Sequence, residues 1–364
     1  MSIAQYASTN IQHSFLYLYK MSLRHYGIVL VALLCSCGGE TYTPEPYTIT
    51  KPYGFQEMNI PADNPMTVEG VELGRMLFYD PLLSKNDLQS CGSCHNQQLG
   101  FTDGARFSTG VDGLEGARSS MALINLGWET KYFWDGRAGS LEEQIFGPVT
   151  NPLEMHTTWP EVEAKLNAHP QYPDLFHNAF GIDHVDSVHV SKAIAQFLRT
   201  MISGNSKFDK YRRGEATLTA SELSGLDIFT SERGDCFHCH AFDGDGTFTD
   251  HTFKNNGLDT DAEMTDPGLQ QATGNPSDRG KFKVPTLRNI ELTAPYMHDG
   301  RFATLEEVVN HYDLGGKPSA TVDPLMKHVN EGLNLTLQER TDLVNFLKTL
   351  TDEEFVTNPA FSEN

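Results

Sequence analysis

At 364 residues with 39% hydrophobic content, the chain is long enough for two packed domains and too long for a single small core. Its 48 acidic residues against 27 basic ones give a formal charge of -21, which opposes electrostatic binding to nucleic acid or to anionic lipid. Nucleic-acid binding is therefore excluded, while an acidic surface remains compatible with salt-dependent steering of a basic protein partner.

Residues 21–37 read MSLRHYGIVLVALLCSC: Arg24 precedes an apolar run, Tyr26 to Leu34, too short to span a bilayer as a helix. This is the pattern of a secretory signal, and Met21 is a candidate true start. Its ending, Leu34-Cys35-Ser36-Cys37, resembles a bacterial lipobox, so Cys37 is expected as a lipid-carrying first residue and the only membrane attachment. The expected organisation is then a signal over 1–37, a linker over 38–54, and two domains over 55–212 and 213–355. The expected location is the periplasm.

With Cys35 and Cys37 assigned to export, four cysteines remain, and no structural disulfide is expected even in an oxidising compartment. They fall in two Cys-x-x-Cys-His motifs, Cys91-Gly92-Ser93-Cys94-His95 and Cys236-Phe237-His238-Cys239-His240. Two thiols at this spacing add to the two vinyl groups of one porphyrin, and the following histidine turns its imidazole onto the iron. A redox dithiol or a four-cysteine zinc site needs no histidine after each pair. Two covalent haems c are therefore expected, with His95 and His240 as proximal ligands.

Gly74-Arg75-Met76-Leu77-Phe78 before the first motif and Gly225-Leu226-Asp227-Ile228-Phe229 before the second form a weak repeat, each ending a predicted helix. The second helix opens on a capping box, Thr219 with Glu222, and a final helix opens on Thr336 with Glu339 and carries Leu343, Phe346, Leu347 and Leu350 on one face. Residues 243–278, rich in Gly and Asp, read as a long loop around a haem. Strand-like alternation is scarce. The expected fold is mainly α, with two cytochrome c-like domains, each around one covalent haem.

Around these motifs lie Phe133-Trp134-Asp135-Gly136-Arg137-Ala138, Leu141-Glu142-Glu143-Gln144, Asn151-Pro152-Leu153-Glu154-Met155, Val284-Pro285-Thr286-Leu287-Arg288-Asn289 and Ala294-Pro295-Tyr296-Met297-His298-Asp299-Gly300. In this order they resemble the bacterial dihaem cytochrome c peroxidases and their MauG relatives over roughly residues 55–350. The resemblance implies Glu154 as the distal carboxylate that moves the peroxide proton, Gln144 as a distal-pocket amide, and Trp134 on the electron path between the haems. Taken alone, these three would read as a surface carboxylate, a solvated helix residue and a core aromatic. Arg288 belongs to a family block but receives no chemical role. The resemblance further implies hydrogen peroxide as substrate, a small electron donor such as cytochrome c or a cupredoxin, and homodimers as one assembly.

Three departures from the peroxidase pattern stand out. Residues 96–133 contain no histidine to cap the first iron, so that iron is expected open at rest; His156 is the remaining candidate cap and reads better as a pocket-edge or surface residue. Where the peroxidases place a methionine ligand on the second haem, this chain has Tyr312, as the MauG branch does, with Met297 and His311 as competitors. The family's calcium ion would take carbonyls of Thr293 and Pro295, but Ser119 replaces the usual asparagine after Arg118. The enzyme alternative is MauG-like oxidation of a protein substrate; the non-enzyme alternative is a dihaem electron carrier with both irons six-coordinate.

Overall fold

The computed structural model describes residues 43–363, so the signal, the lipobox and Cys37 lie outside the described residues. The fold is mainly helical. Among the described residues the sheet is one two-stranded antiparallel ribbon, Phe253–Lys254 with Phe282–Lys283, in the register Phe253 to Lys283. No described helix is long and apolar enough to cross a membrane.

Two hydrophobic clusters organise the chain. In the first, helix Val68–Tyr79 crosses Ser187–Thr200 and buries Leu73, Leu77 and Phe78 against Ala193, Ile194 and Phe197. In the second, Ala220–Phe229 crosses Leu337–Lys348 and buries Ile228 and Phe229 against Leu343, Phe346 and Leu347. Each crossing turns on one glycine. A Cβ on Gly74 would lie 1.9 Å from the Ala193 carbonyl oxygen, and one on Gly225 would lie 2.0 Å from that of Asp342. The weak repeat thus marks the two places where helix backbones touch directly, for which only glycine leaves room.

Both capping boxes form as read: Thr219 and Thr336 accept from the backbones of Glu222 and Glu339, whose carboxylates return to the cap residues. The loop over 243–278 is irregular apart from Phe253–Lys254, one turn of helix, Gln270–Thr273, and a 3-10 turn, Pro276–Asp278. The last residues differ from a simple two-part division. Phe355 and Phe361 return to the first cluster, with ring centroids 5.6 and 6.4 Å from Phe101. Gln97 Nε2 donates to the carbonyls of Phe355 (3.2 Å) and Asn358 (2.8 Å), fastening this tail beside the first motif.

Replacing Gly225 by Ala should force the second helix pair apart and cost about 1–3 kcal/mol of stability, the usual range for overpacking. Gly244→Ala, where nothing lies within 4 Å of the added methyl, should leave the denaturant midpoint unchanged; urea unfolding of both variants checks the contrast.

Candidate active site and cofactor cavities

The first motif forms a single helical turn, Cys91–Cys94, and the His95 N–H donates to the Cys91 carbonyl at 3.0 Å. The chain then reverses through Phe101, a fully buried residue at φ 59, which brings its carbonyl to 2.8 Å from His95 Nδ1. Because a carbonyl can only accept, Nδ1 carries the proton and Nε2 keeps a lone pair for a metal. The second motif repeats this: the His240 N–H donates to Cys236 O at 3.0 Å, and its Nδ1 donates at 3.0 Å to the carbonyl of Phe248, also buried and at φ 58. Burial lowers the pKa of both imidazoles, keeping them neutral.

Cys91, Cys94 and His95 line a cavity of about 1080 Å³; Cys236, Cys239 and His240 line a second of about 210 Å³. The four cysteines are free thiols divided between these two cavities, which rules out one four-cysteine zinc site. Burial pushes Cys91 and Cys236 up to about 12 and Cys239 to about 11, as expected of thiols set against an apolar cavity wall. Two thiols and one neutral, oriented imidazole on each cavity fit a covalently attached haem.

Trp134 borders both cavities, as do Lys283, Met297 and His298. Its Nε1 donates to Ser119 O at 2.9 Å and its carbonyl accepts from the Lys283 N–H at 2.9 Å. Gln144, on helix Leu141–Thr150, and Glu154, just beyond that helix, both line the first cavity. Asn151 Nδ2 holds Glu154 Oε1 at 2.6 Å, and Val111 N–H holds the Glu154 carbonyl at 2.8 Å. Burial raises the Glu154 pKa above the ordinary carboxylate value. His156 is turned away: its Nδ1 meets Asp112, which also receives Lys85 Nζ at 2.9 Å, and it does not line the cavity.

Around the second cavity, Tyr312 and Met297 both face the space, and burial pushes the Tyr312 phenol up to about 12. His311 does not line it; its Nε2 donates to the Asn256 carbonyl at 3.0 Å. Arg288 forms a fully buried bidentate pair with Asp209 (2.8 and 3.0 Å), and its Nε donates to Gly246 O at 2.7 Å, bracing the loop that ends on Phe248. That is a structural duty. Thr293 and Pro295 line the first cavity.

The chain has relatives among known proteins. The sequence profile described as "Di-haem cytochrome c peroxidase" matches residues 68–217. The chain is 38% identical over 295 residues to the methylamine utilization protein MauG of Methylorubrum extorquens, covering 80% of this chain and 81% of that protein. It is also 38% identical over 298 residues to the cytochrome c551 peroxidase of Nitrosomonas europaea, covering 81% and 84%. The chain belongs to the di-haem cytochrome c peroxidase family. Among solved structures, the crystal structure of a MauG-like protein associated with microbial copper homeostasis superposes with a TM-score of 0.80 at 38% identity, over 87% of this chain and 99% of that one.

Two features of this peroxidase fold escape a reading of the motifs. The turn Tyr132 to Ala138 recurs as Tyr296 to Phe302: each closes an isolated bridge between its end residues, and in each the residue after the tyrosine (Phe133, Met297) and the glycine (Gly136, Gly300) are left-handed. Each tyrosine hydroxyl donates back to a carbonyl, Leu126 at 3.1 Å or Ile290 at 2.9 Å. The repeated Asp-Gly-Arg was the available signal. The second is a charge network with no local signature: Glu129 on the first cavity pairs with buried Lys283 and with His251 Nδ1 at 2.9 Å, and His251 Nε2 reaches Asp245 at 2.5 Å.

Hydrogen bonds to Asp245 and Glu129 outweigh desolvation and raise His251 to about 9. A folded pKa above the unfolded value of 6.5 gives stability that is fully present below pH 6.5 and lost as pH rises through about 9. The urea midpoint of the unmodified protein should therefore decline between about pH 6 and about pH 10, and His251→Gln should lose the part of that decline that His251 contributes.

Proposed function

We propose that the chain is a dihaem c-type peroxidase that reduces hydrogen peroxide to two waters, taking two electrons from a small redox protein and two protons from solvent. Cys91, Cys94 and His95 would hold one haem, and Cys236, Cys239 and His240 the other, one within each of the domains 55–212 and 213–355. When bound, each haem supplies a redox-active iron, and one with an open axial side also binds a small molecule. The observation that carries this reading is the pair of histidines committed through Nδ1 to a main-chain carbonyl, one on each cavity, with Trp134 in the wall between.

Glu154 is the acid-base residue. Its carboxylate takes the proton of the incoming peroxide and returns it to the departing oxygen, while Asn151 holds the carboxyl oxygen in place. Gln144 offers an amide to polarise and orient the bound peroxide. Trp134 carries electrons from the second site to the first. An uncapped first site at rest is supported by the lack of histidine over 96–133 and by the pairing of His156 with Asp112.

Tyr312 is the further ligand of the second iron in this reading, supported by its burial on that cavity; a tyrosinate lowers the potential, whereas Met297 would raise it. The same tyrosine, and 38% identity to a MauG, favour a second reading, in which the oxidising equivalents leave through Trp134 to a protein substrate. A lipid on Cys37 would tether the enzyme in the periplasm, where a small cytochrome c or cupredoxin would dock as donor. A calcium ion on the Thr293 and Pro295 carbonyls and a homodimer complete the proposed assembly.

Electron paramagnetic resonance of the oxidised resting holoprotein should show one high-spin and one low-spin ferric haem; two low-spin signals with no peroxide reaction would overturn both enzyme readings in favour of a carrier. Rapid turnover with reduced cytochrome c favours the peroxidase, and negligible turnover with a long-lived oxidised state favours protein oxidation. Glu154→Gln should lower kcat by ~10²–10⁴ without altering the resting spectrum. Because Glu154 acts deprotonated and its pKa is raised, the rate should fall with acidification at a pH above the ordinary carboxylate range, and the variant should lack that limb.

A further inference from the structure

Tyr312 and Met297 do not merely share a cavity: they share one hydrogen-bond donor. Asn256 Nδ2 lies 3.2 Å from the Tyr312 hydroxyl and 3.5 Å from the Met297 sulfur. A thioether accepts but has no proton to give, so the amide nitrogen, and not its oxygen, faces Met297. The same NH2 group carries two hydrogens, one for each neighbour. Tyr312 is thus held through its oxygen as an acceptor, which leaves its own O–H free to be replaced by a metal without breaking the Asn256 bond.

The backbone on either side of Asn256 is pinned. Asn255 Nδ2 donates to the hydroxyls of Ser319 (3.1 Å) and Thr321 (3.0 Å), and its carbonyl accepts from the Asp323 N–H at 2.9 Å. The Gly257 carbonyl accepts from the Lys317 N–H at 2.7 Å, and the Asn256 carbonyl accepts from Nε2 of His311, a residue that does not line the cavity. Met297 is itself constrained, left-handed at φ 75 in the Tyr296 to Phe302 turn. The amide is therefore a fixed post between two candidate ligands.

We propose that Asn256 is the positioning residue that selects the ligand of the second haem, restraining the Met297 thioether and presenting the Tyr312 oxygen as an anionic donor. The two acceptors are unequal. A hydrogen bond to an anionic oxygen is about twice as strong as one between neutral groups, and thioether sulfur is a weak acceptor. Asn256 consequently favours the arrangement with tyrosinate on the metal and methionine off it, and loss of its N–H groups removes that preference. The inference rests on the proposed second haem site with Tyr312 as its ligand.

The test uses the holoprotein with both haems attached, unmodified and as Asn256→Leu, Asn256→Asp, Tyr312→Phe and Met297→Leu. Electron paramagnetic resonance of the low-spin ferric centre, with its near-infrared charge-transfer bands, reports the axial ligand independently of turnover. The unmodified protein should show histidine with an oxygen donor, a signature lost in Tyr312→Phe. Asn256→Leu should convert part of this population to histidine with sulfur and raise the potential of that centre, and adding Met297→Leu should remove the sulfur signature. Asn256→Asp keeps the side-chain size without the N–H donors and provides the same readout if the leucine variant fails to fold. An unaltered signature and potential in both Asn256 variants, with Tyr312→Phe still changing the spectrum, would overturn the role of Asn256 and leave the ligand reading standing. A Tyr312→Phe spectrum identical to the unmodified one would overturn the ligand reading and the selection with it.

Discussion

The hydrogen bond from an imidazole Nδ1 to the carbonyl of a buried, left-handed phenylalanine is the constraint on which the rest of this structure depends. It occurs twice, His95 with Phe101 and His240 with Phe248. In each case the phenylalanine ring is locked in a hydrophobic cluster, so its carbonyl is fixed in space and fixes the ring in turn. One bond thereby sets both the tautomer and the orientation of the nitrogen offered to a metal in the proposed site. Phe248 packs near Phe208, Phe229 and Phe242, and Phe101 near Phe78, Phe355 and Phe361, so the core of each half is also the support of its site.

Between the two supports lies a second group of ion pairs. Arg118 bridges Asp135 (2.6 Å) and Asp266 (2.7 Å), joining the turn that carries Trp134 to the long loop after the second motif. Lys283, Glu129, His251 and Asp245 form a chain of alternating sign beside the same tryptophan. Breaking such a network by removing one partner leaves an uncompensated buried charge, so each link in the wall between the cavities is costly to remove. The same pattern of a pinned backbone beneath a side chain that faces a cavity appears at Asn256, flanked by Asn255 and Gly257.

Much of the candidate site was legible because its chemistry is written at short range. Two cysteines and a histidine within five residues need no tertiary context, and the capping boxes at Thr219 and Thr336 depend on side chains three residues apart. Glu154, Gln144 and Trp134 were legible only through family resemblance, since nothing in their local sequence separates them from a surface carboxylate, a solvated amide and a core aromatic. Asn256 was not legible at all: in Asn255-Asn256-Gly257 it reads as turn chemistry, and its partners lie 41 and 56 residues further along the chain. Competition between Tyr312, Met297 and His311 was reduced by folding, which brings Tyr312 and Met297 to the cavity wall and leaves His311 off it.

By itself the sequence determined the helical class, the two attachment motifs and the absence of histidine between Asn96 and Phe133, because these follow from composition, spacing and periodicity along a few residues. Tertiary structure alone decided that the two cysteine pairs face separate cavities, that Trp134 stands in the wall common to both, that His156 turns outward to Asp112, and that Asn256 serves two candidate ligands at once. The physical reason is range. A motif acts through bonds a residue or two long, whereas a shared wall or a shared donor exists only where segments far apart in the chain are brought to within about 3 Å, the distance at which a hydrogen bond discriminates.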